Sequence, residues 1–183
     1  MARKPNTSKT ESPKSVLSDI NKTVNRPEND IENVIEIEPN ELIGCTSITF
    51  GELIYVSKAT NMMYKWHEFG DEEFISFKEL EQMFRGNREF VTKPHFIIQD
   101  ERVIEKFRLV EKYSYVAQIM QLEKALQNDM SKASAIIDSA LEADMRDVVI
   151  SRIRDMRRRG TLTNIDALEL IKSKVGIDLS RSE

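Results

Sequence analysis

The stretch NMMYKWHEFGDEEFISFKELEQMFR, from Asn61 to Arg85, contains the change from extended chain to helix that decides the fold. Its first part alternates, so that Tyr64 and Trp66 fall on one face of a strand and Lys65 and His67 fall on the other. This period of two predicts a half-buried strand with Trp66 in the core and His67 at the surface.

A turn, a second strand and a helix follow in the same stretch. Gly70 can take the positive φ that a tight turn requires, and EFISF at 73–77 predicts a short strand. Ser76 is suited to cap the helix SFKELEQMF, with Glu79 three residues later completing a capping box. Gly86 is expected to end this helix.

Runs of β-branched and aromatic residues predict three strands upstream that join the first of these strands in an antiparallel meander. The strands are expected near residues 34–38, 45–50, 52–57 and 62–68. SKATN predicts a hairpin connection in which Asn61 takes a left-handed conformation. Beyond the helix, PHFIIQD predicts another strand and Asp100 the cap of a helix over 101–110.

The last third of the chain has apolar residues at helical spacing. It predicts helices over 111–127 and 131–156, with Gly160 as a C-terminal stop. Thr163 is expected to cap a last helix that ends before Gly176. Two or three antiparallel helices of this kind are typical of a bundle.

These patterns predict an α+β fold, with a small antiparallel sheet and short helices followed by a C-terminal helical bundle. The predicted division is a flexible N-terminal arm at 1–30, a small α+β domain at 31–110 and a helical domain at 111–183.

The composition is that of a chain without a membrane span, because no apolar run approaches the roughly 20 residues that a spanning helix needs. A single cysteine, Cys45, excludes an internal disulfide and fits a reducing compartment, so synthesis in the cytoplasm is expected.

The charged residues are distributed unevenly along the chain, although the net charge is only −4. Residues 1–27 carry six Lys or Arg against two acids, whereas residues 28–82 carry thirteen acids against three bases.

The N-terminal arm is polar and contains three prolines, so it cannot bury enough surface to fold alone. Val16, Leu17, Ile20 and Val24 nevertheless recur at helical spacing over two turns. Two interpretations follow: a disordered tail, or an arm that becomes ordered on a partner. In the second, Lys9, Lys14 and Lys22 would steer it towards acidic surfaces.

Catalytic and metal-binding patterns are weak throughout. The histidines His67 and His95 and the thiol of Cys45 all fall on predicted strands, without the surroundings of an activated nucleophile. The acids near His67 fit a solvated turn better than a calcium loop, and no phosphate-binding glycine motif is present. The sequence therefore predicts a protein that is not an enzyme and uses no metal or cofactor.

The segment SRIRDMRRRG is the one strongly basic feature. Stabilisation of the helix end accounts for two or three of its arginines, while docking on an acidic protein surface or contact with nucleic-acid phosphates would use more. The residues expected to bind a partner are Arg154, Arg157, Arg158 and Arg159. The acidic segment 28–82 of a neighbouring copy is one acidic protein surface on which these arginines would dock.

Aromatic residues in the predicted strands could form a stacking platform for bases, but acids rather than Lys or Arg lie between them. They are therefore expected in the core, and they are Tyr55, Tyr64, Trp66, Phe69, Phe74 and Phe77.

The layout resembles small uncharacterised proteins encoded among the structural genes of tailed bacteriophages. The resemblance covers residues 45–110 by pattern and the later helices only by kind. The residues that carry it are Gly51, Leu53, Tyr55, Tyr64, Trp66, Phe69, Gly70, Asp71, Leu80, Met83, Ile97, Asp100 and Val103. It implies a virion or virion-assembly component of the neck, tail or capsid, with no catalytic residue.

The function expected is therefore non-enzymatic assembly, in which the arm docks on a neighbouring subunit through Val16, Leu17 and Ile20. Partners would be copies of the chain or other structural proteins, and the protein would be made in the host cytoplasm and incorporated in a virion. The alternative is a nucleic-acid-binding regulator that uses the helix pair between Arg152 and Lys174.

Overall fold

The structure is a computed structural model, and it describes residues 36–86 and 93–177. The fold is α+β, as the sequence predicts, with short strands first and helices after them. The elements are β1 (Leu42–Ser47), β2 (Leu53–Val56), β3 (Met63–Trp66), β4 (Glu72–Ser76), α1 (Phe77–Gly86), β5 (Phe96–Ile98), α2 (Glu101–Lys106), α3 (Val110–Met120), α4 (Leu122–Asn128), α5 (Met130–Glu142), α6 (Arg146–Arg158) and α7 (Ile165–Val175).

The described strands form two antiparallel sheets. β1 lies between β4 and β5 in a three-stranded sheet, and β2 pairs with β3 as a separate two-stranded ribbon. Cys45 in β1 faces Glu73 of β4 on one side and Ile98 of β5 on the other. The prediction of one continuous meander is wrong, because the chain leaves the first sheet after β1 and returns to it only at β4.

The strand predicted at 34–38 is not formed over 36–38, which have no regular structure and lead into a turn. No described strand pairs with residues 36–38, and a turn follows directly at Pro39. The carbonyl of Pro39 accepts a hydrogen bond from the N–H of Lys78, at 2.9 Å, in the first turn of α1. Residues 34 and 35 lie outside the described residues.

The ribbon of β2 and β3, which we call the hairpin, has the predicted orientation. Trp66 is fully buried, its indole N–H donates to the Cys45 carbonyl at 2.8 Å, and its ring stacks on Phe96. His67 is exposed, as predicted. Asn61 has φ 55° at the turn between the strands, the left-handed conformation expected there.

Two of the predicted helix caps are confirmed. The N–H of Glu79 donates to the Ser76 hydroxyl at 3.3 Å, at the start of α1. Asp100 accepts from the N–H of Arg102 at 2.9 Å, at the start of α2. The helix predicted over 101–110 is shorter, however, because the chain turns at Arg108, where φ is 56°.

The C-terminal helices are shorter and more numerous than the sequence predicts. The helix expected over 111–127 is divided at Gln121. The helix expected over 131–156 is divided after Glu142, where Asp144 takes a left-handed conformation with φ 59°. Apolar spacing continues across both breaks, so the pattern alone could not locate them.

The last helix is capped by a residue other than the one predicted. Asn164, not Thr163, accepts the N–H of Asp166 at 2.9 Å. An Asn side chain one residue nearer to the helix provides the same acceptor, and Asn is among the preferred caps. Gly176 ends α7 with φ 74°, as expected for a left-handed C-terminal glycine.

A single hydrophobic cluster contains side chains from both sheets and from the helices on either side of residue 110. Tyr113 of α3 shows the connection directly, because its buried hydroxyl accepts the N–H of Ile98 in β5 at 2.9 Å. Phe74 is the exception among the predicted core aromatics, since its side chain is 54% exposed on β4. Among the described residues, no helix is both long and apolar enough to cross a bilayer.

Candidate interaction surfaces

The arginine-rich end of α6 is organised around one buried carboxylate. Asp155 is only 3% exposed, and it contacts three arginines that lie in α6 or directly after it. Arg152 donates to it at 3.0 Å, Arg159 at 2.9 Å and Arg158 at 3.3 Å. The spacings of three and four residues place these side chains on one face of the helix.

Glu123 of α4 joins this network from a neighbouring helix. Arg152 and Arg159 each donate to its Oε2 at 2.8 Å. Burial raises the pKa of Glu123, but the hydrogen bond from Arg159 and the charge of Arg152 outweigh it, so the pKa lies below the usual range. Burial lowers the pKa of Arg152, and the two acids that it contacts offset part of this effect.

The same arginines connect α6 to the sheet region. Arg158 donates to Glu68, just after β3, at 2.5 Å, and its guanidinium lies 5.6 Å from the ring centre of Phe50. The Arg152 guanidinium lies 5.7 Å from the ring centre of Phe69. At least part of the predicted attraction between the basic segment and residues 28–82 is therefore made inside one chain.

The residues predicted to bind a partner have different places in the structure. Arg158 and Arg159 make the ion pairs described above, while Arg154 is exposed and Arg157 is half-buried on α6. Their role in partner binding remains a prediction. The predicted arm residues lie outside the described residues, and these are Lys9, Lys14, Val16, Leu17, Ile20 and Lys22.

The hairpin has an apolar outer face that none of the residues in 36–86 and 93–177 covers. Ile54 and Val56 of β2 and Met63 of β3 share this face, with exposed fractions of 45%, 50% and 63%. Val56 is directly opposite Met63 in the register, so the side chains form one patch. Met62, in the turn before β3, is also exposed. We call the side chains of Ile54, Val56 and Met63 the outer hairpin face; Lys65, opposite Ile54 in the register, lies on the same side.

The inner side of the hairpin faces α1. The Tyr55 hydroxyl donates to Glu79 of α1 at 2.8 Å, and Tyr55 stacks on Tyr64 with 6.0 Å between ring centres. Burial, followed by this hydrogen bond to an acid, raises the pKa of Tyr55. Glu52, directly before β2, pairs with Lys65 of β3 at 2.7 Å. Burial, followed by the charges of Glu79 and Glu73, raises the pKa of Tyr64.

A cleft of about 340 Å³ lies between the loop after β1, the segment before β5 and the start of α6. His95 is half-buried there, and its backbone carbonyl accepts from the Thr49 hydroxyl at 3.0 Å. Lys93 pairs with Asp144 at 3.2 Å across the rim. The remaining lining residues are Ile48, Pro94, Met145, Asp147, Val148 and Ser151.

The residues that a cysteine–histidine enzyme would need do not converge. Cys45 is fully buried in β1, where burial raises the pKa of its thiol well above the usual value. His67 lies at the surface after β3, and neither residue lines the cleft beside His95. Within residues 36–86 and 93–177, no three His, Cys, Asp or Glu side chains are placed to hold a metal ion.

Sequence reasoning missed two of these features although each has a signal. The order Arg152, Asp155, Arg158, Arg159 has the three- and four-residue spacing of helical ion pairs, so a central acid could have been inferred. The run LIYV in β2 is apolar at every position, which implies that both faces of a two-stranded ribbon are apolar. The cleft has no such signal, because three distant segments form it.

Comparisons with known proteins give no relative for this chain: no family model matches it, and neither a curated protein nor a solved structure is significantly similar.

Proposed function

We propose that the protein is a non-enzymatic structural or assembly protein that binds neighbouring subunits through its N-terminal arm and its charged surfaces. The resemblance noted from the sequence suggests a bacteriophage virion component of the neck, tail or capsid, made in the host cytoplasm. The observation that carries the proposal is the uncovered outer hairpin face on a chain whose arm bears matching apolar residues.

The outer hairpin face supports binding because its exposed side chains are clustered. Single exposed apolar residues are normal on protein surfaces, whereas contiguous apolar patches rimmed by polar groups are typical of interaction sites. Ile54, Val56 and Met63 are contiguous in the register, and Glu52 with Lys65 lies at their border. Such a patch favours a partner with apolar side chains and mixed charge.

The charge distribution supports an arm-mediated contact in particular. The arm carries an excess of about four positive charges, and residues 28–82 carry an excess of about ten negative charges. Opposite charges of this size raise the rate of encounter between copies, and salt weakens the effect. Assembly through the arm should therefore be stronger at low salt.

The test is the solution mass of the full-length protein by light scattering, compared with the double substitution Leu17→Ser and Ile20→Ser. We expect a defined oligomer for the unchanged chain and a monomer for the variant, which should still unfold in one cooperative thermal transition. The matched control is Thr10→Ser with Ser12→Thr, which leaves the apolar spacing intact. Equal masses for the unchanged chain and the Leu17, Ile20 variant would contradict arm-mediated assembly.

The nucleic-acid alternative is supported less well by the arginine geometry. Arg158 and Arg159 are already neutralised in part by Glu68, Asp155 and Glu123. The alternative predicts DNA binding that weakens steeply with salt and is lost on Arg157→Ala with Arg158→Ala. A filter-binding titration with DNA at two salt concentrations separates the nucleic-acid alternative from the assembly proposal. The assembly proposal predicts no loss of DNA binding in the double variant.

A further inference from the structure

Resting on the proposed function, which supplies neighbouring copies, we infer that the outer edge of β2 pairs antiparallel with β2 of a second copy. Backbone groups along a strand at the edge of a ribbon alternate between the partner strand and the outside. The Ser57 N–H donates to the Met62 carbonyl at 2.9 Å, so Ser57 and, two residues earlier, Tyr55 face β3. The backbone N–H and C=O groups of Ile54 and Val56 therefore point away from the hairpin. We call this contact between copies the β2 pairing.

Side chains of the described residues occupy the outer edges of the other strands. On β5, the N–H of Ile98 donates to the buried Tyr113 hydroxyl at 2.9 Å. On β4, the N–H of Glu72 donates to the carboxylate of Asp71 at 3.1 Å. The same carboxylate accepts from the N–H of His67 at 2.8 Å, directly after β3. Such contacts matter because free backbone groups at a sheet edge are a template for another strand.

The outer edge of β2 has no comparable cover. Within residues 36–86 and 93–177, no group outside the hairpin accepts a hydrogen bond from the N–H of Ile54 or Val56. The strand reads LIYV, without the charged residue or proline that often blocks an edge. The side chains of Ile54 and Val56 are also exposed. An extended strand fits this edge best, because it satisfies the backbone groups and covers apolar side chains together.

The sequence around β2 is complementary to itself when two copies run antiparallel. Residues whose backbone points outwards must pair with each other, and centring the alignment on Tyr55 places Ile54 opposite Val56 of the second copy, twice. The same alignment places Glu52 opposite Lys58, also twice, and both residues are exposed. Centring it on Ile54 or on Val56 instead places a charged residue opposite an apolar one. The strand that this edge fits is therefore β2 of a second copy, related by a two-fold axis.

The β2 pairing is expected to be weak by itself. A stable protein interface involves about 20 to 30 residues on each partner, whereas β2 has four residues. Glu52 already pairs with Lys65 in its own chain and remains 47% exposed, so its contact with Lys58 of the second copy adds little. The β2 pairing therefore forms between copies that an assembly already holds together, and it fixes their relative orientation.

Disulfide trapping between full-length single variants, one with Ile54→Cys and the other with Val56→Cys, tests the β2 pairing. Opposite residues of this kind have Cα atoms about 5.5 Å apart, which is within the range of a disulfide. After the two variants are mixed and oxidised with diamide, we expect a cross-linked species of twice the 21.2 kDa chain mass. Cys45 does not interfere, because it is fully buried and burial raises the pKa of its thiol.

Each variant oxidised alone at the same total concentration is the matched control, because neither position faces itself in this alignment. Trapping as strong in either control as in the mixture would overturn the β2 pairing, and so would a mixture that traps nothing. If the unchanged protein is an oligomer that depends on Leu17 and Ile20 but the mixture traps nothing, the β2 pairing is wrong while arm-mediated assembly stands. Trapping confined to the mixture supports the β2 pairing, even where the Leu17, Ile20 variant keeps the mass of the unchanged chain and contradicts the arm.

Discussion

At the scale of single residues, Asp155 determines whether the arginine-rich end of α6 is a stable part of the fold. Its carboxylate is buried and compensates Arg152, whose side chain is only 13% exposed. Removing one partner of a buried ion pair leaves the other charge without compensation, which costs far more than the pair contributes. Asp155 is therefore expected to be important for folding whatever the partner of the protein is.

We expect Asp155→Asn to lower the free energy of unfolding by about 3 kcal/mol, near the lower end for a broken buried pair. Chemical denaturation with urea, followed by circular dichroism, measures the change. Asp147→Asn is the matched control, because Asp147 is exposed on the same helix. A loss for Asp155→Asn no larger than that of the control would show that Asp155 does not hold the network.

Arg108 gives a second prediction at this scale. Its φ of 56° lies in the left-handed region, where a side chain is strained and glycine is not. Arg108→Gly should stabilise the chain by up to about 1 kcal/mol, and for a protein of this size that raises the melting temperature by about 2 to 4 °C. Arg108→Ala, which keeps the strain, should give no such increase in a thermal melt.

At the scale of elements, the sequence predicted the type of each helix and strand better than its limits. Period-two alternation placed Trp66 correctly because it directly reflects which face is buried. Phe74 was wrongly predicted to be buried. Distant elements determine whether a sheet face is covered, and the alternating pattern of a strand carries no information about them. The helix breaks at Gln121 and Asp144 were missed because they interrupt the backbone without interrupting the apolar spacing.

The contact between α6 and the loop after β3 is expected to be weak. Arg158 and Glu68 form a close ion pair, but both side chains are largely exposed to water. Exposed pairs contribute less than about 1 kcal/mol. A double-mutant cycle with Arg158→Ala and Glu68→Ala should therefore give a coupling energy below that value, decreasing with salt. A larger coupling would mean that this contact is essential for holding the hairpin against α6.

At the scale of the whole molecule, acid should destabilise the fold through Asp100 and Glu123. Burial raises the pKa of each, but hydrogen bonds from Arg102 and Arg159 respectively lower both pKa values below the unfolded ones. The unfolded chain therefore binds protons first, so the stability from these groups is present above about pH 4 and is lost as the pH falls through the folded pKa values.

Urea unfolding midpoints measured between pH 6 and pH 3 check this expectation. The urea midpoint should be nearly constant near pH 6 and should decrease once the pH is below about 4. Glu123→Gln should reduce the acid-dependent part of the fall, because it removes one of the titrating groups. A midpoint that falls equally in the variant would contradict the role given to Glu123.

The whole fold class was predictable because alternation, helical spacing and capping residues all indicated α+β. The candidate surfaces were only partly predictable. The arginine cluster was visible in the sequence, but its pairing with Glu68 and Glu123 depends on packing between distant segments. The all-apolar run LIYV was a signal for the outer hairpin face, but the exposure of that face followed only from the pairing of the ribbon apart from the three-stranded sheet.

The most direct test of assembly through the arm is light scattering. It compares the solution mass of the full-length protein with that of a chain lacking residues 1–30, each at low and moderate salt. The core residues from Ile37 to Val175 are all present in the shortened chain. We predict a defined oligomer for the full-length protein, weaker at moderate salt, and a monomer for the shortened chain. Monomers of both at every salt concentration would contradict assembly through the arm.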